Sequence, residues 1–253
     1  MKATSKSVWL AGVDGCRDGW MVVFIHPRGQ TVRTRVIKKF KDIVSAPERP
    51  ALIAVDIPIG LPKFSPRQGR LAEQEVRSLV KRRRSSVFRI PSRRAVYAGV
   101  NCKAIPNDKN RYKHACAVAR RTSADKKAFA KQGFYLFPKI VEVDRLLRRH
   151  KSLKRRVYET HPELAFWRLN GERPAAHPKS GQLGIRLRKR LLVAAGLPSE
   201  IVRASPPRGA KIDDLLDALA CALIARRIRA KTAKSFPAPV RHDSYGLPMA
   251  IWA

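Results

Sequence analysis

Acidic residues are scarce in this chain. Only 19 Asp and Glu stand against 54 Lys and Arg, a formal net charge of +35. A surface so basic condenses onto phosphate-rich polymers as Lys and Arg displace counterions, which makes nucleic acid the expected partner. The bland alternatives are a solvated Arg-rich surface or attraction to anionic lipid. Cysteine is sparser still: Cys16, Cys102, Cys116 and Cys221 are scattered, and no pair has the short spacing of a zinc finger or a thioredoxin-like motif. They read as reduced, mostly buried thiols. Long apolar runs are missing too. The stretch from Val8 to Val13 is broken by Asp14, too short for a signal peptide or a membrane span. A soluble, cytoplasmic protein with no membrane partner is the expectation, and there is no internal repeat or long low-complexity segment.

What is present is enough to fold. With 253 residues, 44% of them hydrophobic, the chain can bury a substantial core. Val8 to Val13 and Trp20 to Ile25 read as buried strands of a hairpin joined by the turn Asp14 to Gly19. Thr31 to Ile37, after the turn signal His26-Pro-Arg-Gly29, alternates as a more exposed third strand. A short helix near Phe40 to Ser45 precedes an apolar strand, Ala51 to Val55. The pattern then turns helical over 68–84, loses periodicity over 85–110, and is helical again over 111–131 and 138–150. A fifth strand at Arg156 to Glu159 is followed by helices over 163–169, 182–195 and 210–229, and by a Pro-rich, loose or strand-like tail. This order predicts an α/β fold: a mixed five-stranded sheet flanked by helices, in a ribonuclease H-like layout. It is read as one domain over 1–253, with a helical insertion or cap over 68–135 between strands four and five.

Against the basic background, the few acids stand at telling places. Asp213, Asp214 and Asp217 open the last helix, and spacings of three and four put either pair on one helix face. Asp14 lies where the first strand meets a glycine turn, Asp56 closes the fourth strand, and Glu159 closes the fifth. Taken singly, Asp56 reads as a turn or cap residue and Asp213 as a solvated helix start. Glu163 reads as a first-turn acid favoured by the helix dipole. Jointly, carboxylates from separate elements match what phosphodiester hydrolysis asks for: two hard cations about 4 Å apart in an oxygen cage. Asp14, Asp56, Glu159, Asp214 and Asp217 are therefore the candidate catalytic and metal-binding residues, around two Mg²⁺ or Mn²⁺ ions. His161 can assist a metal-bound water, although a lone His at a strand end is more often structural.

The motifs Gly12-Val-Asp-Gly-Cys-Arg17 with Gly19-Trp20, Val55-Asp-Ile-Pro-Ile-Gly-Leu-Pro62, Arg82-Arg-Arg-Ser-Ser-Val-Phe88, Glu159-Thr-His-Pro-Glu163 and Asp213-Asp-Leu-Leu-Asp-Ala-Leu-Ala220 follow one another in an order that resembles a known family. It is the predicted ribonuclease H-like nucleases collected as domain of unknown function 429. The resemblance spans nearly the whole chain and implies that fold and a nuclease activity. The string Asp214-Leu-Leu-Asp217-Ala-Leu-Ala also resembles the terminal-helix motif of bacterial Holliday-junction resolvases, which favours Asp214 with Asp217 over Asp213.

Lys81 to Arg94 holds seven cations and no acid. Lys81, Arg82, Arg83, Arg84, Ser85, Ser86, Arg93 and Arg94 are the candidate nucleic-acid contacts, and Ser92 offers a further hydroxyl for phosphate. Runs at Arg145 to Arg156 and Arg186 to Arg190 read as solvated or backbone-touching faces. The aromatic stretch Gly133 to Pro138 reads as buried rather than as a base-stacking platform. The leading expectation is a metal-dependent nuclease, with two rivals. One is a non-catalytic nucleic-acid binder on the same fold. The other is an actin-like nucleotide-dependent phosphotransferase, which needs a second glycine-rich phosphate loop that the chain lacks after Glu159.

Overall fold

The structure, a computed structural model, describes residues 8–26, 31–101, 107–179 and 181–253. Cys102 and most of the turn at 26–29 lie outside these. The chain separates into two compact units. The first comprises Met1–Asp56, Arg155–Ala233 and Trp252–Ala253, and the second comprises Ile57–Lys154 and Lys234–Ile251. The second unit thus begins before residue 68, runs past 135 and takes in most of the tail.

The first unit is built on a mixed five-stranded sheet. Strands β1 (Leu10–Cys16) and β2 (Gly19–Ile25) form the hairpin, and β3 (Val32–Ile37) pairs antiparallel with β2. A short helix, α1 (Phe40–Val44), leads to β4 (Leu52–Val55), which lies parallel to β1, and β5 (Val157–Glu159) lies parallel to β4. The order is β3-β2-β1-β4-β5. Since β1, β4 and β5 run the same way, their carboxyl ends share one sheet edge, the edge where ligands bind in open α/β sheets.

The second unit carries α2 (Leu71–Val80), a 3₁₀ helix (Lys81–Ser86), α3 (Arg93–Val100), α4 (Asp108–Arg121), α5 (Lys131–Phe134) and α6 (Phe137–Arg149). A hairpin of β6 (Ser235–His242) and β7 (Pro248–Trp252) follows near the end of the chain. Helix α3 occupies a stretch that shows no helical periodicity in sequence. It starts because Ser92 Oγ accepts the Ala95 amide at 3.3 Å. The helix expected to reach residue 131 ends at Arg121. There the Thr122 hydroxyl folds back onto the Val118 carbonyl at 2.8 Å and lies 2.6 Å from Ser92 Oγ. Ser92 is thus buried as a helix cap and offers no hydroxyl to phosphate. The aromatic stretch is mainly core: Phe134 and Phe137 stack edge-on, Phe134 packs on Tyr112 and Phe137 on Phe129, while Tyr135 is exposed.

The helices that matter for the sheet edge belong to the first unit: α7 (Pro162–Leu169), α8 (Gln182–Ala194) and α10 (Ile212–Arg229), with the short α9 (Ser199–Arg203) before the last. Every residue of α10 from Leu215 to Ala225 is buried, as expected of a helix that is apolar all round. Its alanines have a specific cause. A Cβ on Gly12 of β1 would stand 2.1 Å from the Ala218 carbonyl oxygen and 2.1 Å from the Ala222 nitrogen. Strand and helix backbones therefore touch, which only glycine facing small residues permits.

Candidate active site

Asp14 sits in β1 near its carboxyl end and is held by the Gly15 N–H donating to its Oδ1 at 2.8 Å. Asp56 follows β4 directly, and its N–H donates to the Val13 carbonyl at 2.9 Å. The ladder between β1 and β4 thus places Asp14 and Asp56 on neighbouring strand ends. Glu159 is buried at the end of β5, in register with Val55. From the other side, the first turns of α10 bring Asp213, Asp214 and Asp217.

Four of these carboxylates are close enough to perturb one another. Asp14 is buried, and its pKa stands well above the usual range because burial disfavours its charge and because Asp56, Asp217 and Asp214 repel it. Asp217 is pushed up to about 6, first by burial and then by Asp56, even though Lys179 opposes the shift. Asp56 keeps part of its surface open, yet burial still dominates and raises it, with His161 and Lys179 opposing and Glu163 adding to the rise. Asp214 is raised by burial and by Asp213. Part of its capacity is already used, since its Oδ2 accepts the Lys211 N–H at 2.7 Å and so caps the helix. Cys221, one turn beyond Asp217, lies beneath the same group. Burial, then Asp56, Asp14 and Asp217, raise its thiol well above the ordinary value, so it is an inert neutral thiol.

Two residues of the site, Lys179 and Arg188, carry no isolated sequence signal for their role. Lys179 Nζ lies 3.0 Å from Asp217 Oδ2 and 3.7 Å from Asp213 Oδ2. Burial works against its charge, but Asp217, Asp14 and Asp213 outweigh that and raise its pKa. A salt bridge normally raises the base and lowers the acid. Here both rise: Asp217 first because it is buried and then because Asp56 repels it, and Lys179 because several carboxylates outweigh the effect of burial on its one ammonium. Arg188 is fully buried, and its Nη2 donates to Glu163 Oε1 at 2.6 Å. Glu163 is the first-turn acid expected for α7, but it is also buried, and its Oε2 has no hydrogen-bond partner. His161 caps α7: its Nδ1 accepts the Glu163 N–H at 3.2 Å. A single Lys after His177-Pro178 has no distinguishing spacing, so only the convergence of α7, α8 and α10 on the strand ends reveals Lys179.

As a donor set this is hard carboxylate oxygen, with an orphaned buried acceptor on Glu163, and it suits a hard divalent cation. In the present arrangement, however, no three His, Cys, Asp or Glu among the described residues stand close enough to hold one ion. The Lys179 ammonium stands beside Asp217 and Asp213.

The candidate nucleic-acid segment lies in the second unit. Lys81, Arg82, Arg84, Ser85 and Arg94 are exposed, and Arg83 and Ser86 are half-buried, with Ser86 Oγ donating to the Arg83 carbonyl. Arg93 differs. Its guanidinium bonds Asp144 Oδ1 at 2.8 Å and Asp243 Oδ2 at 2.6 Å, donates to the Leu61 carbonyl, and stacks over Tyr245. Its donors are turned inward, tying α3, α6 and the turn between β6 and β7 together.

Among known proteins, the model of one family, described as "Protein of unknown function (DUF429)", matches residues 12–242, and the chain belongs to that family. No curated protein and no solved structure matches it. No helix among the described residues is long and apolar enough to cross a membrane.

Proposed function

We propose that this protein is a metal-dependent nuclease on a ribonuclease H-like fold, cleaving phosphodiester bonds of DNA or RNA. One observation carries the reading: β1, the end of β4 and the first turns of α10 bring Asp14, Asp56, Asp214 and Asp217 into one desolvated group of raised pKa. Such self-repulsion is characteristic of functional sites, and a bound cation relieves it. The sheet order supports the fold reading, with three antiparallel strands followed by two parallel to the first. Asp14, Asp56 and Asp217, with Asp214, Glu159 at the end of β5 and the unpartnered oxygen of Glu163, would hold Mg²⁺ or Mn²⁺. Bound there, divalent ions supply Lewis-acid activation of water and neutralise the leaving oxygen. The chain's own part is to fix those oxygens. Gly15 holds the Asp14 carboxylate, Lys211 holds Asp214, and Arg188 holds Glu163.

The test is incubation of wild type and Asp14→Asn with Mn²⁺ and labelled single-stranded, duplex, hybrid and branched DNA and RNA, alongside thermal melts with and without Mn²⁺. Wild type is expected to cut and to gain melting temperature with Mn²⁺, and the variant to do neither. A variant that cuts like wild type ends the proposal. The second reading, a non-catalytic nucleic-acid binder, is favoured by Lys179, which already neutralises part of the group. Oligonucleotide binding by both proteins, with no Mn²⁺ effect on either melt, would select it.

A further inference from the structure

Helix α8 carries cations that the carboxylate group does not use. Arg186 and Arg190 stand four apart, so they share one helix face. Both are exposed, and neither makes a hydrogen bond or ion pair among the described residues. With His177, Asn170, Leu183 and Leu187 they line an open cleft of about 450 Å³ that has no acidic residue in its wall among the described residues. Leu183, 58% exposed, offers apolar surface beside the two guanidinium groups.

The cleft is built rather than incidental. The His177 carbonyl accepts from Arg188 Nη1 at 3.4 Å, and the same Arg188 is clamped by Glu163. The Pro178 carbonyl lies against Gly184 so closely that a Cβ there would stand 1.7 Å from its oxygen. This wall is thereby fixed to α8 and α7. It also leads directly to the carboxylates. Lys179, which contacts Asp217, is two residues from His177, and two residues of chain span at most about 7 Å.

We propose that this cleft seats the phosphodiester backbone of a nucleic-acid strand and delivers a neighbouring phosphate to the carboxylate group. The inference deepens the nuclease reading and rests on it for its purpose, but its binding step is measured without metal. The cations match phosphate oxygens, and Leu183 suits a sugar or base edge, whereas a purely solvated face needs no anchored wall.

The experiment is fluorescence anisotropy of a labelled single-stranded oligonucleotide in EDTA across a salt series. Three proteins are compared: wild type, Arg186→Gln/Arg190→Gln, and Lys38→Gln/Lys39→Gln. The last removes the same charge from exposed positions after β3. Losing two phosphate contacts should flatten the log–log salt slope by about 1.4 and weaken binding roughly 25-fold near ~0.1 M salt. The control pair should weaken it less than about threefold. Equal losses in both pairs, or no loss in the cleft pair, overturn the cleft. So does binding to phosphatidylserine vesicles that the cleft pair loses while oligonucleotide binding is kept. Mn²⁺ assays separate the two proposals. Cleft-dependent binding without cleavage by wild type sinks the nuclease and leaves the cleft, whereas cleavage with unchanged binding by the cleft pair does the reverse.

Discussion

Replacing Asp217 with Asn removes a charge that the fold holds at some expense in stability, and the size of that expense follows from its titration. Burial, then Asp56, move its pKa from 3.8 to about 6. At about 1.4 kcal/mol per unit, the ionised carboxylate costs the native state about 3 kcal/mol at neutral pH. The native state binds this proton more tightly than the unfolded chain does. Stability therefore falls as pH rises between about 4 and about 6, with no penalty below and the full penalty above. Asn resembles the neutral acid and escapes that fall. It loses the ionic contact with Lys179, but the Lys179 side chain is 48% exposed and regains water, so the offset is modest. The variant should be more stable than wild type by about 1–3 kcal/mol near pH ~7.5, a rise of roughly 3–10 °C in Tm. The advantage should shrink toward zero near pH ~4. Melts followed by circular dichroism at both pH values, read as the difference between the two proteins, cancel the contribution of the other charges. A variant less stable than wild type at the higher pH, or an equal gap at both, would refute the reasoning.

Gly12→Ala sets a Cβ 2.1 Å from the α10 backbone, where no side chain can give way; it should cost more than about 3 kcal/mol, seen as insolubility or a sharply lowered Tm. Arg188→Met strands the Glu163 carboxylate and should cost about 3–5 kcal/mol in urea unfolding, most of which Glu163→Gln in the same chain should restore. Lys179→Met removes the cation facing Asp213 and Asp217. Its destabilisation, about 1–2 kcal/mol given its exposure, should grow in melts taken from pH ~5 to pH ~8 as Asp217 ionises.

Much of the first unit was legible because its signals are local. The hairpin of β1 and β2, the apolar β4 and the unbroken buried run of α10 each announce themselves by hydrophobic pattern and turn chemistry. The second unit was harder to read because long-range contacts decide its local structure. Helix α3 contains Gly99 and lacks a clear stripe; its first turn depends on Ser92, which is fixed in turn by Thr122 at the end of α4. The tail forms strands because β6 and β7 pair with each other, which their prolines conceal. In the site, the positions of Asp14, Asp56 and Asp217 followed from strand ends and helix spacing. The pairing of Glu163 with Arg188 did not, since an ion pair between α7 and α8 leaves no periodic trace in sequence.

A polycation that gathers several of its scarce acids at one sheet edge sets up a particular linkage. Burial, and after it the repulsion that Lys179 cannot neutralise among the carboxylates it faces, stays in the fold as the raised pKa values of Asp14 and Asp217. A cation held by these carboxylates, as proposed, would recover that same free energy, since a ligand taken up only by the native state stabilises it by RT ln(1 + [L]/Kd). For Asp217 alone the recoverable amount is about 3 kcal/mol, equivalent to a more than roughly hundredfold gain in affinity for the cation that relieves it. Instability without a cation and affinity for one are thus two measurements of one quantity. The Asp217→Asn variant should gain stability without the cation and lose affinity for it by comparable amounts, which a Mn²⁺ titration followed by melting temperature reads directly.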